Sequence, residues 1–158
     1  AGGTNRKTTA ARIKTYIGGG VNTPAFELTK YSGTTTLTND TVAKVTFDTE
    51  FDPNSTVASN RFTPAVAGRY FIYGGVKVYG GGNSGLIDQR IQIYKNGSAL
   101  LEMSTFFADN YIRFSDKTIQ AMVDMDTDDY VELYFQANQT SGSPVMYERY
   151  FGGFKIIQ

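Results

Sequence analysis

The stretch that decides the fold is "RFTPAVAGRYFIYGG", residues 61–75. After Gly68 it runs Arg69, Tyr70, Phe71, Ile72, Tyr73. Alternate side chains of a strand point to opposite faces, so Tyr70 and Ile72 share one face and Phe71 and Tyr73 the other. A strand with one face in water alternates apolar with polar residues. This one is apolar on both, so a single sandwich core cannot account for all four side chains.

Short strand candidates recur on either side of it, with turn chemistry between them. "AFELTK" opens the series at Ala25, and "VAKVTF" follows with Ala43, Val45 and Phe47 on one face. "RIQIY" alternates Ile91 and Ile93 with Arg90 and Gln92, and Asn96-Gly97, a strong hairpin signal, joins it to "SALLEM". "TIQAMV" turns Ile119, Ala121 and Val123 inward, and "YVELYFQA" sets Val131, Leu133 and Phe135 against Glu132 and Gln136. "YFGGFKIIQ" ends the chain with Phe154 and Ile156 on one face. No stretch keeps a helical period over three turns, and there is no internal repeat. With 158 residues, eleven Tyr, eleven Phe and seventeen Gly, the chain reads as one all-β domain over residues 24–158, preceded by an arm, residues 1–23.

Absences narrow the chemistry. The chain has no Cys and no His, which excludes disulfides, thiolate nucleophiles, Cys/His zinc sites and every Ser-His or Cys-His catalytic pair. No cofactor is expected. No apolar run reaches the length of a membrane span, so no membrane insertion is expected. The formal net charge is zero but unevenly placed. The arm carries Arg6, Lys7, Arg12 and Lys14 and no acid, and its few apolar residues cannot form a core, so it is expected to be held by a neighbouring chain, with "RIKTYI" as an added edge strand the alternative. Four charges with Tyr16 as the one aromatic make a poor nucleic-acid signature, and no nucleic-acid partner is expected.

Four motifs compete with simpler readings. Gly80, Gly82 and Gly85 match a dinucleotide fingerprint, but strands flank them on both sides where that site needs a strand and a helix, so they form a surface loop. "DMDTDD" sets Asp124, Asp126 and Asp128 at EF-hand spacing, yet Asp129 and Phe135 stand where that loop needs Gly and Glu. It reads as a charged turn, with a calcium site of another kind left open. "FDTEFD" places Asp48, Glu50 and Asp52 on one strand face, either a solvated acidic face or a carboxylate pair for glycoside hydrolysis. Asn39, Asn54, Asn96 and Asn138 each begin an N-x-[ST] triplet, which matters only in a secretory pathway.

The order of landmarks resembles the globular head of complement component one, subcomponent q. It runs Ala25-Phe26, Val45-Thr46-Phe47-Asp48, Asn60, then Phe62, Pro64, Gly68 and Tyr70. Lys95-Asn96-Gly97, Asp129-Tyr130-Val131-Glu132-Leu133 and Phe151-x-Gly153-Phe154 follow. Two departures are Asp128-Asp129 where the family has Gly-Asp, and the lack of a collagen-like Gly-X-Y stretch in these 158 residues.

The resemblance implies a ten-stranded jelly roll of the tumour-necrosis-factor superfamily, assembled as a homotrimer and binding partners rather than catalysing a reaction. On that footing Tyr70, Phe71, Ile72, Tyr73, Phe154 and Ile156 are the trimer-contact candidates, one alternating set facing the core and the other sister chains. A monomer that exposes some aromatics is the plain alternative. The Cys-free, Gly- and Tyr-rich style suggests a virion surface protein, such as a capsid decoration, head fibre or spike. Arg6, Lys7, Arg12 and Lys14 would anchor it to a capsid or other virion protein. Loops 80–86 and 107–116 would meet a host-surface glycan or protein through Tyr79, Asn83, Tyr111 and Arg113. A secreted, extracellular recognition or adhesion trimer is the alternative placement, and a carboxylate-pair glycosidase the third.

Overall fold

The computed structural model describes residues 22–80, 85–108 and 112–156, and all of its regular structure is β. The strands are β1 (Ala25–Lys30), β2 (Thr35–Thr36), β3 (Ala43–Lys44), β4 (Thr49–Phe51), β5 (Val57–Ala58) and β6 (Arg61–Phe62). They continue with β7 (Gly68–Tyr79), β8 (Leu86–Lys95), β9 (Ser98–Phe106), β10 (Phe114–Met125), β11 (Val131–Gln139) and β12 (Val145–Lys155). The first sheet has the order β10-β7-β12-β1-β4 with β2 paired to β12. The second has the order β5-β6-β11-β8-β9 with β3 paired to β11. The chain crosses between the sheets repeatedly, from β2 through β5 at every step, then at β6–β7, β7–β8, β9–β10, β10–β11 and β11–β12, so sequence neighbours are often not sheet neighbours, as in a jelly roll. The described residues form twelve strands where ten were expected, and four of the twelve, β2, β3, β5 and β6, are ladders of only two residues each.

The long strands follow the period-2 reading. Tyr70, Ile72, Val76 and Val78 of β7 are buried, and they face Ile91 and Ile93 of β8 and Val131, Leu133 and Phe135 of β11 across the core. Phe62 lies between the sheets, stacked on Phe26 at 4.2 Å and edge-on to Tyr70 at 5.7 Å. The Tyr70 hydroxyl donates to the carbonyl of Val66, so its burial leaves no polar group unpaired. Each such side chain stabilises the fold by about 1.5–3 kcal/mol.

Landmarks far apart in sequence meet in space. Asn96 and Gly97 have φ of 52° and 78°, the positive pair that a two-residue hairpin turn of this type requires. Asn96 then holds the next turn: its Nδ2 donates to Asp129 at 2.6 Å, and its Oδ1 accepts from the Tyr130 amide at 3.0 Å. Lys95 closes the group with an ion pair to Asp129 at 2.7 Å. Asn60, at φ 59°, accepts from the Phe47 amide at 2.9 Å and pins the segment that crosses between β3 and β4.

Candidate functional site

The outer face of the first sheet collects the side chains that the core leaves out. β7 pairs with β12 so that Phe71 lies opposite Phe154, Tyr73 opposite Gly152, and Gly75 opposite Tyr150. Two of these pairs set an aromatic ring over a glycine. A Cβ at Gly152 would lie 2.5 Å from the Tyr73 hydroxyl, and one at Gly75 would lie 2.5 Å from the Tyr150 ring. Missing side chains therefore let the two rings lie down on the sheet instead of standing off it. Phe71 packs on Phe154 at 5.6 Å and on Tyr73 at 5.9 Å, and Tyr73 meets Tyr150 at 6.2 Å. At the far end of β7, Tyr79 meets Phe114 at 4.6 Å and Tyr147 at 6.3 Å. Between these two groups lies a recess of about 430 Å³, walled by Tyr31, Lys77, Asp116, Glu148 and Tyr150. Across it Lys77 pairs with Glu148 at 3.5 Å.

The rings of this face are half-buried by one another, and Met122 and Phe114 beside them are 63 % and 54 % exposed. Burial raises the Tyr73 phenol above its ordinary value, and Glu27, whose carboxylate lies 3.4 Å from the hydroxyl, pushes the same way. Tyr73 is thus a neutral donor on an apolar face.

The structure divides the six contact candidates. Tyr70 and Ile72 are fully buried in the core, so theirs is the inward one of the two alternating sets. Phe71, Tyr73 and Phe154 lie outside, and Ile156 follows the end of β12, half-buried, with its amide bonded to Arg69. Of the outer-loop candidates, Tyr79 belongs to the aromatic face, and Arg113 is exposed just before β10 with its carbonyl bonded to the Gly80 amide. Asn83, Tyr111 and the arm residues Arg6, Lys7, Arg12 and Lys14 lie outside the described residues.

Tyr147, Tyr150 and Phe114 complete the face and were missed. A bulge between Met146 and Arg149 breaks the alternation of β12, which hides Tyr147 from a period-2 reading. Gly75 and Gly152 were the available signal, since a glycine inside a strand often marks a close approach.

The acidic motifs resolve into structural roles. Asp124 receives a two-pronged pair from Arg69 at 2.8 and 2.9 Å, and Asp129 accepts from Lys95, Asn96 and the Asp126 amide. These bonds hold the Asp129 carboxyl down at about 2. Among the described residues no three metal-ligating side chains gather, and Asp129 rather than Asp128 organises the turn. Asp48, Glu50 and Asp52 do not share a strand face, because β4 is only Thr49–Phe51. Asp48 pairs with Lys30 at 2.5 Å, and Asp52 caps the following turn through Thr56 and the Val57 amide.

The outer face of the second sheet is polar. Glu132, 2 % exposed, accepts from Lys44 at 2.6 Å and Arg61 at 2.9 Å. Burial pushes its carboxyl up, but the two cations outweigh that and hold it below the usual range. Arg61 also covers the Tyr130 ring at 3.7 Å, and Tyr94 stacks on Tyr134 at 4.0 Å.

No family model matches the chain, and no curated protein matches its sequence. Solved structures do match its fold. The globular domain of zebrafish complement 1qA protein is similar over 85 % of this chain and 98 % of that one, with 18 % identity and a TM-score of 0.61. The Eiger TNF of S. frugiperda is similar over 85 % and 92 %, with 13 % identity and a TM-score of 0.54. The class of the fold is therefore the jelly-roll sandwich of complement heads and tumour-necrosis-factor domains.

Proposed function

We propose that this chain is a non-enzymatic recognition module that works as a homotrimer, its subunits packing through the aromatic outer face of the first sheet. The observation that carries the reading is the set Phe71, Tyr73, Tyr150 and Phe154, half-buried on a sheet face that the sandwich core does not use. Rings laid flat over glycines form a smooth apolar surface, the kind that obligate interfaces bury. The similarity to a complement head and a TNF supports recognition over catalysis, as does a sequence without His or Cys. The tied-up carboxylates Asp48 and Asp52 support it too.

The same two neighbours favour the secreted, extracellular placement. Placement on a virion, with the basic arm as its plug and loops 80–86 and 107–116 facing a host, rests on composition alone and ranks second. Recovery of the chain from purified virions would reverse that order. Light scattering at low protein concentration tests the assembly: three times 17.4 kDa is expected, and a stable 17.4 kDa species sinks the trimer.

A further inference from the structure

The four N-x-[ST] triplets differ in what the fold does with their asparagines. Asn39 spends its Nδ2 on the Gln139 carbonyl at 3.1 Å and on Asn138 Oδ1 at 3.4 Å, and its Oδ1 accepts from the Gln139 amide at 2.8 Å. Asn138 sends its own Nδ2 to Asp88 Oδ2 at 3.0 Å. Those two asparagines therefore clamp each other, and a substituent on either nitrogen would have to enter a packed polar contact. Asn96 uses both ends of its amide to join its hairpin to the turn at Asp129 and Tyr130.

Asn54 differs from all three. It is exposed in the turn between β4 and β5, and among the described residues its side chain makes no hydrogen bond. The turn does not use it. Asp52 holds the turn, accepting from the Thr56 hydroxyl at 2.9 Å and the Val57 amide at 2.7 Å with its carboxylate, and from the Ser55 amide with its carbonyl. A bulky group on the Asn54 nitrogen thus breaks nothing that the fold needs, and the turn already projects it into water.

We propose that Asn54 is the N-glycan acceptor of this protein, within the triplet Asn54-Ser55-Thr56. The inference rests on the secreted placement. The donor class is an oligosaccharide carried on a polyprenyl pyrophosphate in the secretory pathway. A bond forms between Asn54 Nδ2 and the sugar C1, the C1–O bond to the pyrophosphate breaks, and the amide loses one proton as the lipid pyrophosphate leaves. Transfer meets the chain before it folds, so the fold acts as a filter: chains modified at Asn39 or Asn138 lose the contacts described above, and chains modified at Asn54 keep every one.

The test is secretion of the full chain from a eukaryotic cell behind a heterologous leader, with peptide mapping of the folded fraction before and after removal of N-glycans by amidase. Conversion of Asn54 to Asp by the amidase is expected at more than ten times the level at Asn39, Asn96 or Asn138. The Asn54→Gln variant is expected to lose the glycan mass and keep the wild-type melting temperature. Secreted, folded protein that is bare at Asn54, or that carries glycan at Asn39 or Asn138, overturns the proposal. Light scattering of the same fraction reports the assembly separately. A glycosylated monomer would sink the trimer and leave Asn54 standing, and a bare trimer would do the reverse.

Discussion

The two outer faces of the sandwich are built from strands of similar length and the same period, yet they carry opposite chemistry. On the second sheet Glu132, Lys44, Arg61 and Tyr130 answer one another within one chain, and the buried carboxylate has both its cations in place. On the first sheet Phe71, Tyr73, Tyr150 and Phe154 touch one another but stay half in water. A polar face can close its own hydrogen bonds, whereas an apolar face can lose its remaining water contact only against another surface. The first face therefore asks for a partner, whereas on the second the Glu132 cluster is closed within a single subunit.

The sharpest way to break that contrast is a pair of identical substitutions on neighbouring phases of β7. Tyr70→Asp puts a carboxylate with no cation into the core, at a cost on the order of 3–5 kcal/mol, a large share of the stability of an ordinary domain. Loss of the β circular-dichroism signal is expected. Tyr73→Asp puts the same charge on the outer face, where an isolated subunit keeps it wet. A folded chain at one-third of the trimer mass is expected there. Two variants that remain trimeric with unchanged melting would mean that the faces do not differ in the way described.

A smaller effect is expected on the polar face. Glu132→Gln removes the charge that Lys44 and Arg61 share, but both cations are partly exposed and can return to water. The expected loss is about 1–2 kcal/mol, read as a lower melting temperature at unchanged oligomer mass. Dissociation of the trimer by this variant would place the subunit contact on the second sheet.

The smallest effect concerns the turn beside the Asn96 hairpin. The Asp129 carboxyl is held at about 2, below its value of about 3.9 in an unfolded chain. A depressed carboxyl stabilises the fold fully above the unfolded value, and that contribution fades as pH falls from about 4 through about 2. Melting temperature should fall over that window, and Asp129→Asn should flatten part of the slope. An unaltered slope in the variant would assign the acid sensitivity to other carboxylates.

Much of the fold is legible along the chain. The alternation of Tyr70 and Ile72 with Phe71 and Tyr73 announces two apolar faces, and Asn96-Gly97 announces the hairpin, because both are local consequences of strand period and positive φ. The acidic stretch from Asp48 to Asp52 misleads for an equally local reason. Its alternation looks like a strand, but only Thr49–Phe51 pairs, since Lys30 and the Thr56 turn take the flanking carboxylates. The aromatic face was half visible: Phe71, Tyr73 and Phe154 follow from period, while Tyr147 is displaced by a bulge and Tyr150 shows its part only once Gly75 lies beneath it.

By itself, then, the sequence determined the all-β class, the alternation of the long strands and the exclusion of Cys- and His-based chemistry. These depend on residue type and on a spacing of two. Tertiary structure alone decided which sheet carries the aromatic face, which glycine lies under which ring, and which of four asparagines is left free. Those outcomes depend on pairings between residues tens of positions apart, such as Gly75 with Tyr150 and Asn39 with Asn138, and no local period encodes them.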